Sequence, residues 1–569
     1  MQSSFFGLNV ATQGLFTART WLDITNHNIT NAQTPGYSRQ FGVQSACRPL
    51  PNNGIGMMGT GSEILKISQY RNKYLDTKFW SNSSHLGEYT VKNSQTSSIE
   101  TILNEIKDTG ISKQFDDMFD SLQKLSTDPS NESYKINFID MAKSFSRFFN
   151  DIGDKMRSFQ REANFSIKTK VDQINYCANQ LATLNEQIEN VEFSGAEAND
   201  LRDKRALIVD ELSHIINVKV DERVDVNGKK TFSVLANGQK LVEGTKVNLL
   251  ETKSREHLNN PEDEPGLYDI YWANGNKFDM TDPELEGELK GYIDMRDGNN
   301  GNNFKAQIDT TTISLPSNTI HINGYNRLDL PPKGEIKIDD KTYEYESFTY
   351  DTTNNKYQFK LKGTTQAPSG SVNISMGEDL KYKGISYYTE RLNNFVRTVA
   401  EKFNEIHKDG NNGTGGPLFT FKDYNPGDVV DYSKMTIDNF QFSSEIASDI
   451  DKLLTSSDPT SGESDNDIIK RMLDLKHDND MFKTGEPGNY IQALIGELGI
   501  DKSQAASFEK GQVDLNLMIN NQRLSYSGVD LNEETTNIIK FQQAYVISAQ
   551  MIRVFDEIYD VTINRMGAN

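Results

Sequence analysis

Leu8-Asn-Val-Ala11-Thr-Gln-Gly-Leu15-Phe-Thr-Ala18-Arg-Thr-Trp-Leu22-Asp-Ile-Thr25-Asn-His-Asn-Ile29-Thr-Asn-Ala32 places a seam residue at every third or fourth position, with Thr25 its only polar member. That spacing is the a/d stripe of a coiled coil, so the first 33 residues are read as one helix. Leu8, Leu15, Leu22 and Ile29 alternate with the small Ala11, Ala18 and Ala32, which lets a second helix approach closely. The helix should stop at Asn31-Ala-Gln-Thr34-Pro35-Gly36-Tyr37. Pro35 biases Thr34 away from the helical region, and Pro-Gly suits the centre of a type II turn. Isolated helices of this kind are marginal in water. Without neighbours the segment is expected to be frayed or disordered.

The last 40 residues mirror it. Asp530 and Glu533 form a capping box, and Glu534 is also favourable in the first helical turn. Ile538, Phe541, Tyr545, Ser548, Ile552, Phe555, Tyr559, Thr562 and Met566 then make one seam. Ala544, Ile547, Met551, Val554, Ile558 and Val561 make a second beside it. Two adjacent seams form an apolar face too wide for a single partner helix. Residues 1–75 plus 525–569 are therefore taken as one terminal helical domain built from both chain ends and disordered in the isolated monomer.

Residues 86–216 read as helical. Ile174, Cys177, Leu181, Leu184, Ile188 and Val191 hold a 3-4 spacing. A turn at Gly195 leads to a second helix with Leu201, Ile208, Leu212 and Ile215, giving an antiparallel pair. Ile385, Tyr388, Leu392, Phe395, Val399, Phe403 and Ile406 mark a helix at 384–407, and more helices are expected within 443–524. Over 217–376 the period changes to two. Phe232-Ser-Val234-Leu-Ala236 before Asn237-Gly238, and Tyr268-Asp-Ile270-Tyr-Trp272 before Asn274-Gly275, are hairpin arms, with further Asn-Gly pairs at 227–228 and 323–324. Ile336, Ile338, Tyr343, Tyr345, Tyr357, Phe359 and Leu361 continue the alternation, and the polar run Arg296-Asp-Gly-Asn-Asn-Gly-Asn-Asn303 splits this β region. The fold class is multidomain α+β in nested layers. Terminal coiled-coil helices enclose an α-helical bundle from 76–216 plus 377–524, which carries inserted antiparallel β domains at 217–300 and 301–376. At roughly 150 residues per domain, the 569 residues fit about four.

The chain holds 60 Lys and Arg against 81 Asp and Glu, a net charge of −21 with a pI near 4.9. Residues 1–75 contain six basic and two acidic side chains, and 525–569 contain three and six, so 76–524 carries −22. Nearly neutral ends and an acidic middle point to ends packed against protein and a middle in water. So acidic a chain is a poor nucleic-acid binder and a poor ligand for anionic membranes. No apolar run approaches membrane-spanning length, and Met1-Gln-Ser-Ser-Phe-Phe6 lacks the basic start of a cleaved signal peptide. Cys47 and Cys177 are too few for a disulfide framework.

The residues offer no reaction chemistry. Gly54-Ile-Gly56-Met-Met-Gly59 matches a dinucleotide fingerprint in letters but precedes a strand-like Glu63–Ile67, so it reads as a glycine-rich turn. Asp225-Val-Asn227-Gly228 fails as a calcium loop because Arg223 stands at the first ligand position. The seven histidines are scattered without zinc spacing. The acidic pairs Asp116-Asp117 and Glu533-Glu534 are expected on solvated helix faces or at helix starts. No catalytic residue, cofactor or metal is expected, and the chain is not read as an enzyme.

Asn28-Ile-Thr-Asn31-Ala-Gln-Thr34-Pro35-Gly36-Tyr37-Ser-Arg39-Gln40 resembles the N-terminal signature of the axial proteins of the bacterial flagellum. Ser527-Gly-Val-Asp530-Leu-Asn-Glu533-Glu534, with Phe541-Gln-Gln-Ala544-Tyr545, resembles their C-terminal signature. Asp172-Gln-Ile-Asn175, Leu184 to Ile188, Leu201-Arg-Asp203-Lys-Arg205 and Phe403-Asn-Glu-Ile-His407 are similar to the hook-associated family that joins hook to filament. The likeness weakens over 305–376 and 410–440, and His27 stands where the family usually has Asn.

The resemblance implies a structural adaptor made in the cytoplasm, exported through the flagellar type III apparatus without a cleaved signal, and resident in the extracellular flagellum. It implies a ring of copies at the hook tip, contacting hook protein on one side and a second junction protein next to the filament on the other. The seams named above would polymerise through heterologous contacts, and a cytoplasmic export chaperone would cover about 530–566 until export. Other readings stay open: hook protein or the second junction protein, or an axial protein with a hydrolase activity in its β inserts.

Overall fold

The computed structural model describes residues 5–565, apart from 53–55, 104–109, 225–229, 256–257, 261, 302–304, 310–312, 315–318, 324–332, 340, 352–355, 364–370, 377–379, 459, 461 and 463–464. The Asp225–Gly228 segment, Gly54 and Ile55 of the 54–59 run, His257, Gly324 and Met566 lie outside the described residues. The fold is a multidomain α+β assembly that divides into two compact units. One comprises Met1–Leu86, Asp172–Leu250 and Gly511–Asn569; the other comprises Gly87–Val171 and Glu251–Lys510. The boundary after Leu250 falls inside the 217–300 segment read above as one β domain. Asn175 explains where the chain is held there, because its side chain exchanges two hydrogen bonds of 2.8 Å with the backbone of Leu250.

The first unit contains both chain ends. Helix α1 (Phe6–Asn31) leads into a long hairpin in which β1 (Gln40–Ala46) pairs with β4 (Ser62–Gln69), with β2 (Leu50–Asn52) and β3 (Gly56–Met58) paired at its tip. From Gly56 on, the glycine-rich run is thus part of a hairpin tip. Helix α2 (Lys73–Leu103) begins in this unit, and α3 (Ile111–Thr127) follows it in sequence. The end of α4 (Glu132–Glu192) turns through Gly195, at φ 86°, into α5 (Asn199–Ile215). Asn185 meets Arg205 and Glu192 meets Arg202, so α4 and α5 are antiparallel. Ile174, Cys177, Leu181, Val209 and Leu212 are buried. A four-stranded sheet follows: β5 (Val218–Val224), β6 (Lys230–Ala236), β7 (Gln239–Glu243) and β8 (Lys246–Val247). Its β6–β7 turn is Asn237-Gly238 with φ of 45° and 71°, the left-handed pair such a hairpin requires.

The second unit packs α3, the first part of α4 and α7 (Ile385–Lys408) around phenylalanines. Phe115, Phe145, Phe149, Phe395, Phe419 and Phe440 touch in edge and stacked pairs, the last two from β18 (Phe419–Phe421) and β19 (Phe440–Phe442). Short helices α8 (Ser444–Ser448) and α9 (Asp467–Asp474) and the start of α10 (Pro487–Ser527) complete it. β9 (Leu250–Ser254) pairs with β10 (Tyr268–Trp272), before α6 (Glu288–Asp297). The remaining insert is a seven-stranded antiparallel sheet in the order β11-β17-β14-β15-β16-β13-β12. Its strands are β11 (Lys305–Asp309), β12 (Ile313–Ser314), β13 (Thr319–Asn323), β14 (Gly334–Ile338), β15 (Lys341–Asp351), β16 (Lys356–Leu361) and β17 (Ser371–Met376). Ile336, Ile338, Tyr345, Tyr357, Phe359 and Leu361 form its buried face.

The polar run splits the β region between β10 and β11, but its start is not loosely solvated: it begins in α6, and Arg296, Asp297 and Asn299 are buried. Arg296 is fully buried, and its guanidinium reaches Asp297 at 2.6 Å, with Arg255 at 2.7 Å on the same carboxylate. Burial pushes the Asp297 carboxyl up, and the two arginines outweigh it, holding it below the usual carboxylate range. Mutual neutralisation makes this burial tolerable. From the end of that run the chain enters and leaves the insert as a neck, where Asn300 N–H donates to Tyr382 O and Gly301 N–H to Leu380 O.

Candidate functional site

The motif after α1 is held by one side chain. Asn28 is buried; its amide donates to Gln40 O at 2.9 Å, and its carbonyl accepts Gln40 N–H at 2.9 Å and the Tyr37 hydroxyl at 2.8 Å. The chain between them reverses at Pro35-Gly36. Gly36 has φ 75°, and Tyr37 N–H donates to Thr34 O at 3.2 Å, closing the turn. Asn31 steadies its start through a bond to His27 O and by accepting the Thr34 hydroxyl. Burial, then the carboxylates of Asp200, Asp203 and Glu534, raises the pKa of the Tyr37 hydroxyl, so it remains a donor.

The turn presents three consecutive residues to distant elements. Ser38 gives both its backbone N–H and its hydroxyl to Asp203 of α5, at 2.7 and 2.8 Å. Gln40 reaches Asp200 at 2.6 Å. Arg39 turns toward the C-terminal helix α11 (Leu531–Asp560), meeting Glu534 at 2.6 Å and Glu533 in a two-pronged pair at 2.6 and 3.1 Å. Its backbone N–H donates to Ser527 O at 2.8 Å. Asp530 caps α11 by accepting the N–H groups of Asn532 and Glu533, but the Glu533 side chain holds Arg39 instead of returning to the cap. Glu534, expected on a solvated helix start, is only 2 % exposed.

Behind the motif lies a chain of charges that sequence reasoning missed. Asp203 also holds Arg71, which pairs with Asp76; Arg523 of α10 bridges Asp76 and Asp210, and Trp80 donates to Asp210 at 2.6 Å. Burial raises the pKa of Asp203 and Asp210 despite these cations. No local pattern exposes such partners, because Ser38 and Asp203 lie 165 positions apart.

Helices α1 and α11 run antiparallel. Phe555 lies against Gly7, Ser548 against Gly14, and the Trp21 and Phe541 rings stack at 5.0 Å, one contact per heptad; Phe5 meets Tyr559 beyond them. On α11 these contacts lie on the first seam, where Ile538, Phe541, Ile552 and Phe555 are partly covered and Tyr545 sits at the edge. On α1 the closest approaches fall one residue before Leu8, Leu15 and Leu22, at two glycines and a tryptophan. Ala18 and Thr25 are buried, while Leu8, Ala11, Leu15, Leu22, Ile29 and Ala32 are half-buried. Hydrophobic spacing cannot single out glycine, yet only glycine leaves room for Phe555: a Cβ at Gly7 would lie 2.4 Å from its ring. The second seam is open. Ala544, Met551, Val554 and Ile558 are exposed, and Ile547 is 60 % exposed.

Comparison with known proteins matches the middle of the chain and its C-terminal end. The model of the flagellar hook-associated protein FlgK helical domain matches residues 96–334, and that of the flagellar basal body rod FlgEFG protein C-terminal region matches 520–566. Flagellar hook-associated protein 1 of Bacillus subtilis is 26 % identical across 100 % of this chain and 99 % of its own length. The chain is therefore similar to flagellar hook-associated protein 1 along its whole length. The Escherichia coli hook-associated protein 1 is 24 % identical over 98 % of this chain and 99 % of its own. The hook junction protein FlgK of Burkholderia pseudomallei superposes with a TM-score of 0.48 at 14 % identity, covering 79 % of this chain and all of its own. Among the described residues no helix is long and apolar enough to cross a membrane. Among those residues, too, no three His, Cys, Asp or Glu side chains are grouped to hold a metal ion.

Proposed function

We propose that this chain is the structural adaptor between flagellar hook and filament, with no reaction of its own. The observation that carries this reading is the unequal use of α11: one seam lies on α1, while the other, through Ile547, Met551 and Ile558, stays open at the joined chain ends. An open apolar stripe beside a satisfied one suits a polymer in which the next copy completes the packing. In this reading the terminal domain from 1–75 plus 525–569 lies in the tube wall, with hook protein below and the second junction protein above. Residues 76–524 carry the −22 charge and are solvated in this reading. The copies form a ring at the hook tip.

Export follows from the same surface. A chain delivered through the flagellar type III channel travels unfolded, and a cytoplasmic chaperone over about 530–566 keeps the apolar stripe from premature contacts. Deleting the gene and viewing cells by electron microscopy tests the adaptor role. Bare hooks with filament protein free in the medium are expected. Normal filaments still attached to hooks would refute it.

A further inference from the structure

The glycines on α1 leave room for a second register of α11. Gly7 and Gly14 stand one heptad apart; Phe555 fills the space at Gly7, while Gly14 faces the small Ser548. Sliding α11 by one heptad, about 10.5 Å along the axis, brings Phe555 to Gly14 and Ser548 to Trp21. A shift by a whole heptad keeps the a/d stripe in contact with its partner helix. Besides parting the stacked Trp21 and Phe541 rings and the Phe5–Tyr559 pair, the slipped register loses polar contacts. Arg39 would leave both Glu533, which it grips with two nitrogens, and the buried Glu534. Its backbone bond to Ser527 O holds the far side of the short link, 528–530, that joins α10 to α11.

We propose that Arg39 is a positioning residue that selects the antiparallel register of the two terminal helices by gripping Glu533 and Glu534. Its consequence rests on the adaptor reading above. The register decides which part of the open seam stands beside which residues of α1, and so the surface offered to the next copy. Arg suits this role because its planar fork engages two carboxylates with fixed geometry, which a lysine ammonium does not.

Disulfide trapping in the full-length monomer reads the register directly, in a background carrying Cys47→Ser and Cys177→Ala. A Cβ built at Gly14 lies 4.0 Å from Ser548 Cβ, within disulfide reach, so Gly14→Cys with Ser548→Cys reports the native register. Gly14→Cys with Phe555→Cys reports the slipped one. Adding Arg39→Gln should raise the slipped-to-native ratio by about tenfold, the scale of a lost charge-assisted pair. Combining Arg39→Glu with Glu533→Arg and Glu534→Arg should bring it back. An unchanged ratio in Arg39→Gln with helical content retained overturns the proposal, because the 528–530 link would then set the register alone. Should Arg39→Gln lose its helices, Glu533→Gln at an exposed position supplies the test: a smaller rise supports the role, and a flat ratio overturns it. The ratio is read before any assembly, so its failure is separate from failure of the adaptor reading.

Discussion

At the scale of single residues, the motif depends on buried amides with every hydrogen bond placed. Asn28→Ala strands the Gln40 N–H and C=O and the Tyr37 hydroxyl, and should cost about 2–4 kcal/mol of local stability. Hydrogen exchange at the Gln40 amide measures this; unchanged protection would contradict it. In the second unit His407 is buried, with Nδ1 2.6 Å from Gly416 O and Nε2 accepting Leu454 N–H at 3.0 Å. Nδ1 therefore carries the proton and the ring is neutral. Burial lowers its pKa, although the bond to Gly416 pulls the other way. The unfolded chain then binds a proton that the folded one refuses. The stability from this residue is complete above about pH 6.5 and is lost as pH falls below it, by up to ~1.4 kcal/mol per pH unit. Thermal melts of the second unit should show this slope, and His407→Gln should flatten it; a wild-type chain without the slope would contradict the account.

At the scale of elements, two kinds of information behaved differently. The end of α1 and the Pro35-Gly36 turn were legible because the residues that set them are neighbours in sequence. The stripe through Phe541, Ser548 and Phe555 was legible from spacing, and the structure lays it on α1. Glycine as the receiving surface was not legible, since a hydrophobic pattern registers side chains and not the room left by their absence. Asp203, Asp210 and the buried Glu534 were illegible for another reason: charged residues read as solvated until their partners, hundreds of positions away, are known. The open seam gives an element-scale prediction. Ile547→Asp with Val554→Asp should change the stability of the isolated protein by no more than about 0.5 kcal/mol, since both side chains already face water. The same pair should abolish filament attachment in cells. A large loss of monomer stability, or normal filaments, would contradict the assignment of that face.

At the scale of the whole molecule, both chain ends belong to one unit, and much of the chain between them forms another. The terminal helices have only one covered seam between them, while the second unit is built on a continuous aromatic core. Limited proteolysis should therefore cut before about residue 50 and after about 530 first, as weakly protected helices open locally at low cost. Equal resistance along the chain would contradict this. An adaptor has one location, and immunogold labelling of intact flagella with antibodies against the purified protein reads it. Gold confined to the boundary between hook and filament is expected; label spread along the filament, or absent from that boundary, would contradict the adaptor role.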